Sequence, residues 1–352
     1  MRRDRLLRFA QESGCKAVAT LEPENLFYLT GFWGEAVGLL DSSGRTTIIA
    51  PTLEVERARQ ESSGCDVVEA KRGSGMITEL VSRIRAEKTC VDCRDYHMMR
   101  VITDAASNAV PSSEPFLRSR IIKDDIEMKI LREASKIIDD MFGICVQEIR
   151  AGLREYELQG TLMSYAISQR MFDTGYRHTL NPLIVAGGPN GALPHAQVTE
   201  RKFAVGDLIV VDITLRYRGY VSDATRTFAL GKISRDAMAA YDVVQESQMQ
   251  GLDAAVPGQQ CGIVDNACRV HIDDSGYGRY FVHSTGHGIG LDVHEQPVIS
   301  AGNTMSLEEG MAITVEPGVY IPDRFGIRIE DSIIIGKRPE VLHNFTKELI
   351  TI

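Results

Sequence analysis

The sequence predicts an α+β protein in which a smaller α/β domain, residues 1–120, precedes a larger domain, residues 121–352. In the first part, helix-like and strand-like stretches alternate and no phosphate-binding loop occurs. In the second part, the order helix pair, hairpin, helix pair, hairpin indicates an approximate twofold repeat. Turn-forming and charged residues from Pro115 to Asp125 mark the boundary between the two.

The elements of the first domain follow from short periodic stretches. Helices are expected where apolar residues recur at helical spacing, at Arg2–Ser13, Pro23–Leu29, Leu53–Gln60 and Ile77–Lys88. Strands are expected at Ala17–Ala19, Val37–Leu40, Thr46–Ile49, Val67–Glu69 and Cys90–Asp92. Cys90 and Cys93 form a C-x-x-C pair without a second such pair, so we interpret them as buried structural cysteines and not as a zinc site.

The second domain is predicted from longer stretches. Helices are expected at Asp125–Ile149, Arg154–Arg170, Arg235–Ala254 and Gly262–Ser275. A strand at Pro182–Ala186 leads into the glycine-rich loop GGPNGALPHA, which delivers His195. The two hairpins are expected at Leu208–Leu230, with a turn at Arg216–Gly219, and within Leu307–Ile335.

Four acids on the two predicted hairpins are the main candidates for function. Asp212 and Asp223 lie on strands that otherwise look buried, and on their own they are about as consistent with separate structural aspartates. The second hairpin repeats the arrangement with Glu316 and Glu330. Four buried acids facing one another would repel unless cations lay between them, and bridging carboxylates favour two divalent metal ions.

A histidine-rich stretch, FVHSTGHGIGLDVHEQP, separates the second helix pair from the second hairpin. It contains His283, His287 and His294 with glycines between them, and glycine allows the backbone to approach a metal or substrate closely. A single histidine is more often structural than a ligand. Clustering beside four candidate carboxylates makes His287 the strongest histidine candidate.

Composition excludes several classes of function. A net charge of −9 without a long basic run argues against a nucleic-acid or anionic-membrane surface. The N-terminus lacks the apolar run of a signal peptide, and no stretch is long and apolar enough to span a membrane. Seven scattered cysteines suit free thiols in a reducing compartment, so we expect a cytoplasmic protein.

These residues together carry a family resemblance. The order Asp212, Asp223, His287, Glu316, Glu330, within the strings VDITLRYRGYVSDATRT, STGHGIGLDVHE, TVEPGVYI and RIEDS, resembles the pita-bread metallopeptidases. The similarity is greatest to their proline-specific branch, the Xaa-Pro dipeptidases (prolidases) and Xaa-Pro aminopeptidases. Residues 1–120 are similar in size and pattern to the creatinase/prolidase N-terminal domain.

The resemblance implies a role for each site residue. Asp212 would bind one metal through both oxygens, Asp223 and Glu330 would bridge both metals, and His287 and Glu316 would complete the shell of the other metal. Manganese, cobalt or zinc would suit such ligands. The remaining roles are a proton shuttle at Glu316, contacts to the substrate and its oxyanion from His195 and His294, and pocket positions for His283, Tyr320 and Arg328.

The resemblance also implies short proline-containing peptides as substrates and a homodimer. Phe32 and Trp33 are then candidates for a lid or interface, and the alternative is an aromatic pair in the core of the small domain. Many prolidases place an arginine shortly after the HE that follows the histidine-rich loop, where this chain has Val298. That departure favours longer Xaa-Pro peptides over dipeptides. The alternatives are a non-catalytic peptide- or histone-binding relative, or an aminopeptidase of the same fold with other specificity.

Overall fold

The alternating elements of the first part and the repeated elements of the second form two units, Met1–Arg120 and Ile121–Ile352. The computed structural model describes residues 2–352. Across that range, no helix combines the length and the apolar character needed to cross a bilayer. The α+β fold class predicted from the sequence is confirmed.

The first unit is a six-stranded mixed sheet with helices packed against it. Its helices are α1 (Arg2–Glu12), α2 (Pro23–Thr30), α3 (Thr52–Glu61), α4 (Ser74–Ile84), α5 (Tyr96–Ala105) and α6 (Glu114–Ile121). Its strands are β1 (Ala17–Thr20), β2 (Val37–Leu40), β3 (Thr46–Pro51), β4 (Asp66–Ala70), β5 (Thr89–Asp92) and β6 (Ala109–Pro111). The strand order is β4-β3-β2-β1-β5-β6, with β2 antiparallel to both of its neighbours.

The sequence prediction missed three elements of this unit, α5, β6 and α6. The prediction of turn chemistry from Pro115 onward was wrong, because α6 begins at Glu114 and proline is well tolerated in the first turn of a helix. Phe32 is fully buried in the core of this unit, as the core alternative predicts. The ring of Trp33 packs on Phe27 with their centroids 5.5 Å apart, and its role as a lid or interface stays a prediction.

The second unit contains four long helices and eleven strands among the described residues. The helices are α7 (Asp125–Glu148), α8 (Glu155–Ser168), α9 (Arg235–Ala254) and α10 (Cys261–Asp274). The strands are β7 (Met171–Asp173), β8 (Ile184–Gly187), β9 (Leu208–Tyr217), β10 (Tyr220–Ala229), β11 (Gly286–Gly288), β12 (Glu295–Ile299), β13 (Ala312–Val315), β14 (Gly318–Ile321), β15 (Phe325–Arg328), β16 (Asp331–Ile334) and β17 (Glu340–Val341).

The first predicted hairpin is β9 and β10, joined by a shorter turn than expected. Strand β9 continues through Arg216 and Tyr217, which were predicted to lie in the turn, so the turn consists only of Arg218 and Gly219 with φ of 50° and 90°. Positive φ at both positions matches the twist of a two-residue hairpin. Asp212 lies opposite Thr225, and Asp223 lies opposite Thr214. Because side chains alternate along a strand, these four residues share one face of the hairpin.

The second predicted hairpin is interrupted. Instead of two continuous strands, β13 pairs with β16, and β14 pairs separately with β15. Glu316 follows β13 and Glu330 precedes β16, so each acid lies where a strand breaks. A bridge between Thr225 and Glu330 joins this half of the unit to the first hairpin. The acids of the two halves are thereby brought to one place.

Candidate metal centre

Three predicted ligands converge at this junction. Asp223 on β10, His287 on β11 and Glu330 before β16 each offer a ligand atom, and these atoms lie within 4.8 Å of one another. All three side chains are buried. The short strand β11 holds His287 between two glycines, and a side chain at Gly286 or Gly288 would collide with the neighbouring backbone. The glycines therefore let the imidazole reach the carboxylates.

Glu316 and Asp212 lie at the edge of this group. Oε1 of Glu316 is 3.4 Å from Nε2 of His287. The hydroxyl of Thr214 donates to Asp223 Oδ1 at 2.7 Å and lies 3.3 Å from Asp212 Oδ1. The second oxygen of Asp212 accepts a hydrogen bond from Arg328 Nη2 at 2.5 Å. All five predicted ligands are therefore close together, with Asp212 also paired to a guanidinium.

The electrostatics of the group match a cation site. Burial, and then the neighbouring Asp212 and Glu316, raise the pKa of Asp223 well above its usual value. Burial and Asp223 do the same to the pKa of Glu330. Burial raises the pKa of Glu316 to about 7, although Arg328 opposes the shift. Carboxylates packed this closely are unfavourable as anions unless positive charge compensates them. The donor set therefore fits divalent metal ions.

His287 is held in the form that a metal requires. Burial and the nearby His294 lower the pKa of His287 to about 3, so its imidazole is neutral. Its Nδ1 lies 3.0 Å from the carbonyl oxygen of Gly288, which places the ring proton on Nδ1. The lone pair of Nε2 then faces Asp223 and Glu316, as for histidine ligands whose second nitrogen is held by a carbonyl.

The ligand group lies in a cavity of about 260 Å³. Nine of the ten predicted site residues line this cavity; they are His195, Asp212, Asp223, His283, His287, His294, Glu316, Arg328 and Glu330. The tenth, Tyr320, does not line it but contacts two residues that do. Apolar side chains, Leu183, Ile184 and Val293, form part of the wall. The space suits a small molecule with both polar and apolar groups.

A hydrogen-bonded chain runs beside the ligand group. Arg328 Nη1 donates to the hydroxyl of Tyr320 at 2.7 Å, and that hydroxyl is 2.9 Å from Nε2 of His283. Burial and Arg328 lower the pKa of His283 to about 4, so the neutral ring accepts a hydrogen bond from the Tyr320 hydroxyl. Arg328 also donates to the carbonyl of Pro194, the residue before His195, at 3.2 Å. One guanidinium thus orients groups on several sides of the cavity.

His195 and His294 line the cavity and are both exposed to solvent. The rings of His287 and His294 are edge to face, with centroids 4.3 Å apart. Burial and His195 lower the pKa of His294, which favours its neutral form. The ring of Tyr176 packs on His294 with centroids 5.1 Å apart.

Sequence reasoning missed several residues of the site. Tyr176 and His178 line the cavity from the loop between β7 and β8, whose sequence TGYRHTLNPL carries no periodicity that would have placed it there. The threonines beside the acids had a usable signal, because Thr214 lies two residues from Asp212 on the same strand face.

Two family models match different parts of the chain. Residues 129–337 match the model of metallopeptidase family M24, and residues 2–122 match the Creatinase/Prolidase N-terminal domain. The chain is 32% identical over 339 residues to the Xaa-Pro dipeptidase of Pyrococcus furiosus, covering 95% of this chain and 94% of that protein.

Two solved structures are similar over nearly the whole chain. The Xaa-Pro dipeptidase from Bacillus anthracis has a TM-score of 0.92 and 33% identity, covering 100% of this chain and 99% of that one. The X-Pro aminopeptidase from Thermotoga maritima has a TM-score of 0.87 and 28% identity, covering 99% of both chains. The fold is therefore shared by a protein named as a dipeptidase and one named as an aminopeptidase.

Proposed function

The chain belongs to metallopeptidase family M24, in the prolidase branch, and we propose that it uses two divalent metal ions to hydrolyse Xaa-Pro bonds at the N-terminus of short peptides. The observation that carries this proposal is the convergence of four acids and His287 in one cavity. The family itself implies the use of a divalent metal. The number of ions, their identity and the specificity belong to the proposal.

Five side chains would hold the ions: Asp212, Asp223, His287, Glu316 and Glu330. Manganese, cobalt or zinc suits this set of oxygens with one imidazole. A pair of such ions acidifies a water molecule and polarises a carbonyl group. For this chemistry, Asp212 would have to bind a metal while it also accepts the hydrogen bond from Arg328.

The other residues act directly on the substrate. His195 and His294 line the cavity and are exposed, and they would hold the peptide and stabilise the oxyanion that forms at the scissile carbonyl. Glu316, which lies at the edge of the ligand group, would carry the proton from the attacking water to the departing proline nitrogen. His283 and Arg328 would line the pocket for the proline ring, and Tyr320 would brace them through its hydrogen bonds to both.

The charges around the cavity support a proposal for the preferred length of the substrate. Among the described residues that line it, Arg328 is the one guanidinium, and it is already bonded to Asp212, Tyr320 and Pro194. A dipeptide ends in a carboxylate next to the scissile bond, and burying that charge without a cationic partner is costly. We therefore propose that Xaa-Pro-peptides longer than two residues are preferred over Xaa-Pro dipeptides.

A direct comparison of substrates checks this function. Ala-Pro and Ala-Pro-Ala are supplied to the manganese, cobalt and zinc forms of the protein, and release of alanine is measured. We expect metal-dependent release that a chelator abolishes and metal restores, with faster turnover of Ala-Pro-Ala. Ala-Ala-Ala serves as the control, since its amide is secondary. Metal binding without release from either proline peptide would instead favour a non-catalytic peptide-binding protein.

The substitution Tyr320→Phe tests the hydrogen-bonded chain. It removes the hydroxyl that joins Arg328 to His283 and leaves the ring in place. We expect kcat/KM for Ala-Pro-Ala to fall about 10- to 100-fold, the usual range for losing a partner just behind the ligands. Steady-state kinetics and metal content per chain measure the effect. The matched control is Tyr165→Phe on α8, whose hydroxyl bonds Asp140 outside the cavity, and an equal loss there would contradict the assignment.

The proposal also includes a cytoplasmic location and a homodimeric state. All seven cysteines are free thiols, which supports a reducing compartment such as the cytoplasm. The family resemblance supports a homodimer.

A further inference from the structure

We propose that Glu155, the first residue of α8, positions the loop that carries His195, so that the contribution of His195 to hydrolysis depends on Glu155. The inference rests on the proposed function, in which His195 contacts the substrate. Glu155 is fully buried and does not line the cavity. It is therefore a positioning residue and not a catalytic one.

Four donors converge on the Glu155 carboxylate. Its Oε1 accepts from the amide of Gly187 at 2.9 Å. Its Oε2 accepts from the side-chain amide of Asn190 at 2.8 Å, and from the amide and hydroxyl of Thr199 at 2.9 Å and 2.6 Å. Hydrogen bonds to an ionised acceptor are stronger than those between neutral groups. Because Gly187 precedes His195 and Thr199 follows it, the carboxylate ties together the two ends of the loop.

The next turn of α8 adds a second attachment on the same helix face. Gln159, four residues after Glu155, donates from Nε2 to the side-chain oxygen of Asn181 at 2.6 Å. Asn181 in turn donates to the carbonyl of Ala196, directly after His195, at 2.9 Å. The backbone on both sides of His195 is thus tied to α8 through two separate routes.

Glu155 could instead serve only to stabilise the start of α8, and a substitution of Glu157 is the control for that alternative. Glu157 lies two residues later in the same turn, and its Oε2 accepts from the amide of Arg154 at 2.8 Å as part of a capping box. The carboxylate of Glu157 thus bonds within the helix start and not to the His195 loop. Loss of Glu157 therefore reports on the stability of the helix start alone, whereas loss of Glu155 also releases the loop.

A double-mutant cycle tests the proposal in the metal-loaded enzyme. Glu155→Gln and His195→Ala are made singly and together, and kcat/KM for Ala-Pro-Ala is measured. The amide of glutamine turns an NH₂ group toward at least one of the four donors, so the loop must shift. We expect Glu155→Gln to lower kcat/KM about tenfold or more when His195 is present, since small misplacements have large effects on rate. In the His195→Ala background it should change kcat/KM by about twofold or less. Glu157→Gln should leave both backgrounds unchanged.

A second readout does not depend on activity. Hydrogen exchange in the metal-free protein should show faster exchange at the amides of Gly187 and Thr199 in Glu155→Gln, and unchanged exchange there in Glu157→Gln. If Glu155→Gln does not fold, Thr199→Val replaces it in both measurements. Thr199 is exposed, and the substitution removes the 2.6 Å hydrogen bond to Glu155.

The outcomes separate the inference from the function on which it rests. An equal loss from Glu155→Gln with and without His195, or unchanged amide exchange, would overturn the positioning role. Unchanged kcat/KM in His195→Ala would instead overturn the proposed role of His195 itself, and the inference with it. Absence of metal-dependent hydrolysis in the unaltered protein would overturn the proposed function.

Discussion

The substitution Asp223→Asn is expected to abolish metal-dependent hydrolysis and, at the same time, to stabilise the metal-free protein. Asp223 is buried close to Glu330, and burial together with the charges of Asp212 and Glu316 raises its pKa well above the usual value. Asparagine keeps the shape and can still accept the Thr214 hydroxyl, but it removes one source of repulsion. It also removes a carboxylate that would bind both metal ions in the proposed mechanism.

The direction of the change in stability follows from the raised pKa of Asp223. A carboxyl group whose pKa is raised in the folded state destabilises the fold once the pH exceeds its unfolded pKa, by about 1.4 kcal/mol for each unit of the shift. Asp223→Asn removes this penalty, so it should raise the free energy of unfolding of the metal-free protein at neutral pH. Urea unfolding measures this change, and metal content per chain measures the loss of binding. Such a trade between stability and activity is common at functional sites.

Asp207→Asn is the matched control for this prediction. Asp207 is also buried, but it pairs with Arg201 through two hydrogen bonds of 2.7 Å and 2.8 Å. The same chemical change should therefore lower stability at Asp207, because it weakens a favourable pair. A loss of stability at both positions would show that the acids around Asp223 are not under mutual repulsion.

The substitution Arg226→Met is expected to destabilise the second unit by about 3–5 kcal/mol, the range found when one partner of a buried ion pair is removed. Arg226 is 2% exposed. Its guanidinium donates to Asp331 at 2.7 Å and to the carbonyls of Glu330, Phe345 and Thr346. Methionine fills much of the volume but leaves these acceptors without their donor, so the loss is electrostatic and not a cavity.

Urea unfolding measures this effect, with an exposed ion pair as the control. Arg132 also makes two hydrogen bonds to its partner, Glu340, but the two side chains are 43% and 45% exposed, so Arg132→Ala should cost only about 0–1 kcal/mol. Comparable losses at the two sites would contradict the prediction.

The effect of Arg226→Met should also depend on pH. Burial alone would raise the pKa of Asp331, but Arg226 and Lys347 outweigh it and lower that pKa to about 2. A lowered pKa means that the ion pair stabilises the fold above the unfolded value of about 4 and loses this contribution as pH falls toward 2. The difference in unfolding free energy between the unaltered protein and the Arg226→Met variant should thus shrink in acid.

The sequence predicted most of what local pattern and strand alternation determine. The register of β9 and β10 follows from a short turn, and it places Asp212 and Asp223 on one face as expected. Helix α9 begins and ends at the predicted residues because its apolar spacing is regular. The gathering of histidines and acids in one cavity also agrees with the expectation drawn from their types and order.

The features that were missed depend on contacts between distant residues. Pro317 and Gly318, directly after Glu316, are a local signal for the break that the prediction did not use. The separate pairing of Gly318–Ile321 with β15 has no local signal, because it looks like continuous strand until its partner is known. The same is true of Glu155, which looks like an ordinary helix-start acid in the sequence. Its role depends on donors 32 to 44 residues away along the chain.

The proposed ligands come from both halves of the repeat, so bound metal would also stabilise the fold. Asp212 and Asp223 come from one half, and Glu316 and Glu330 from the other, so ions held between them would act as a cross-link. A ligand that binds only the folded state at 100 times its dissociation constant adds about 2.7 kcal/mol to stability. Under metal starvation the molecule would therefore be idle and also more readily degraded by proteases.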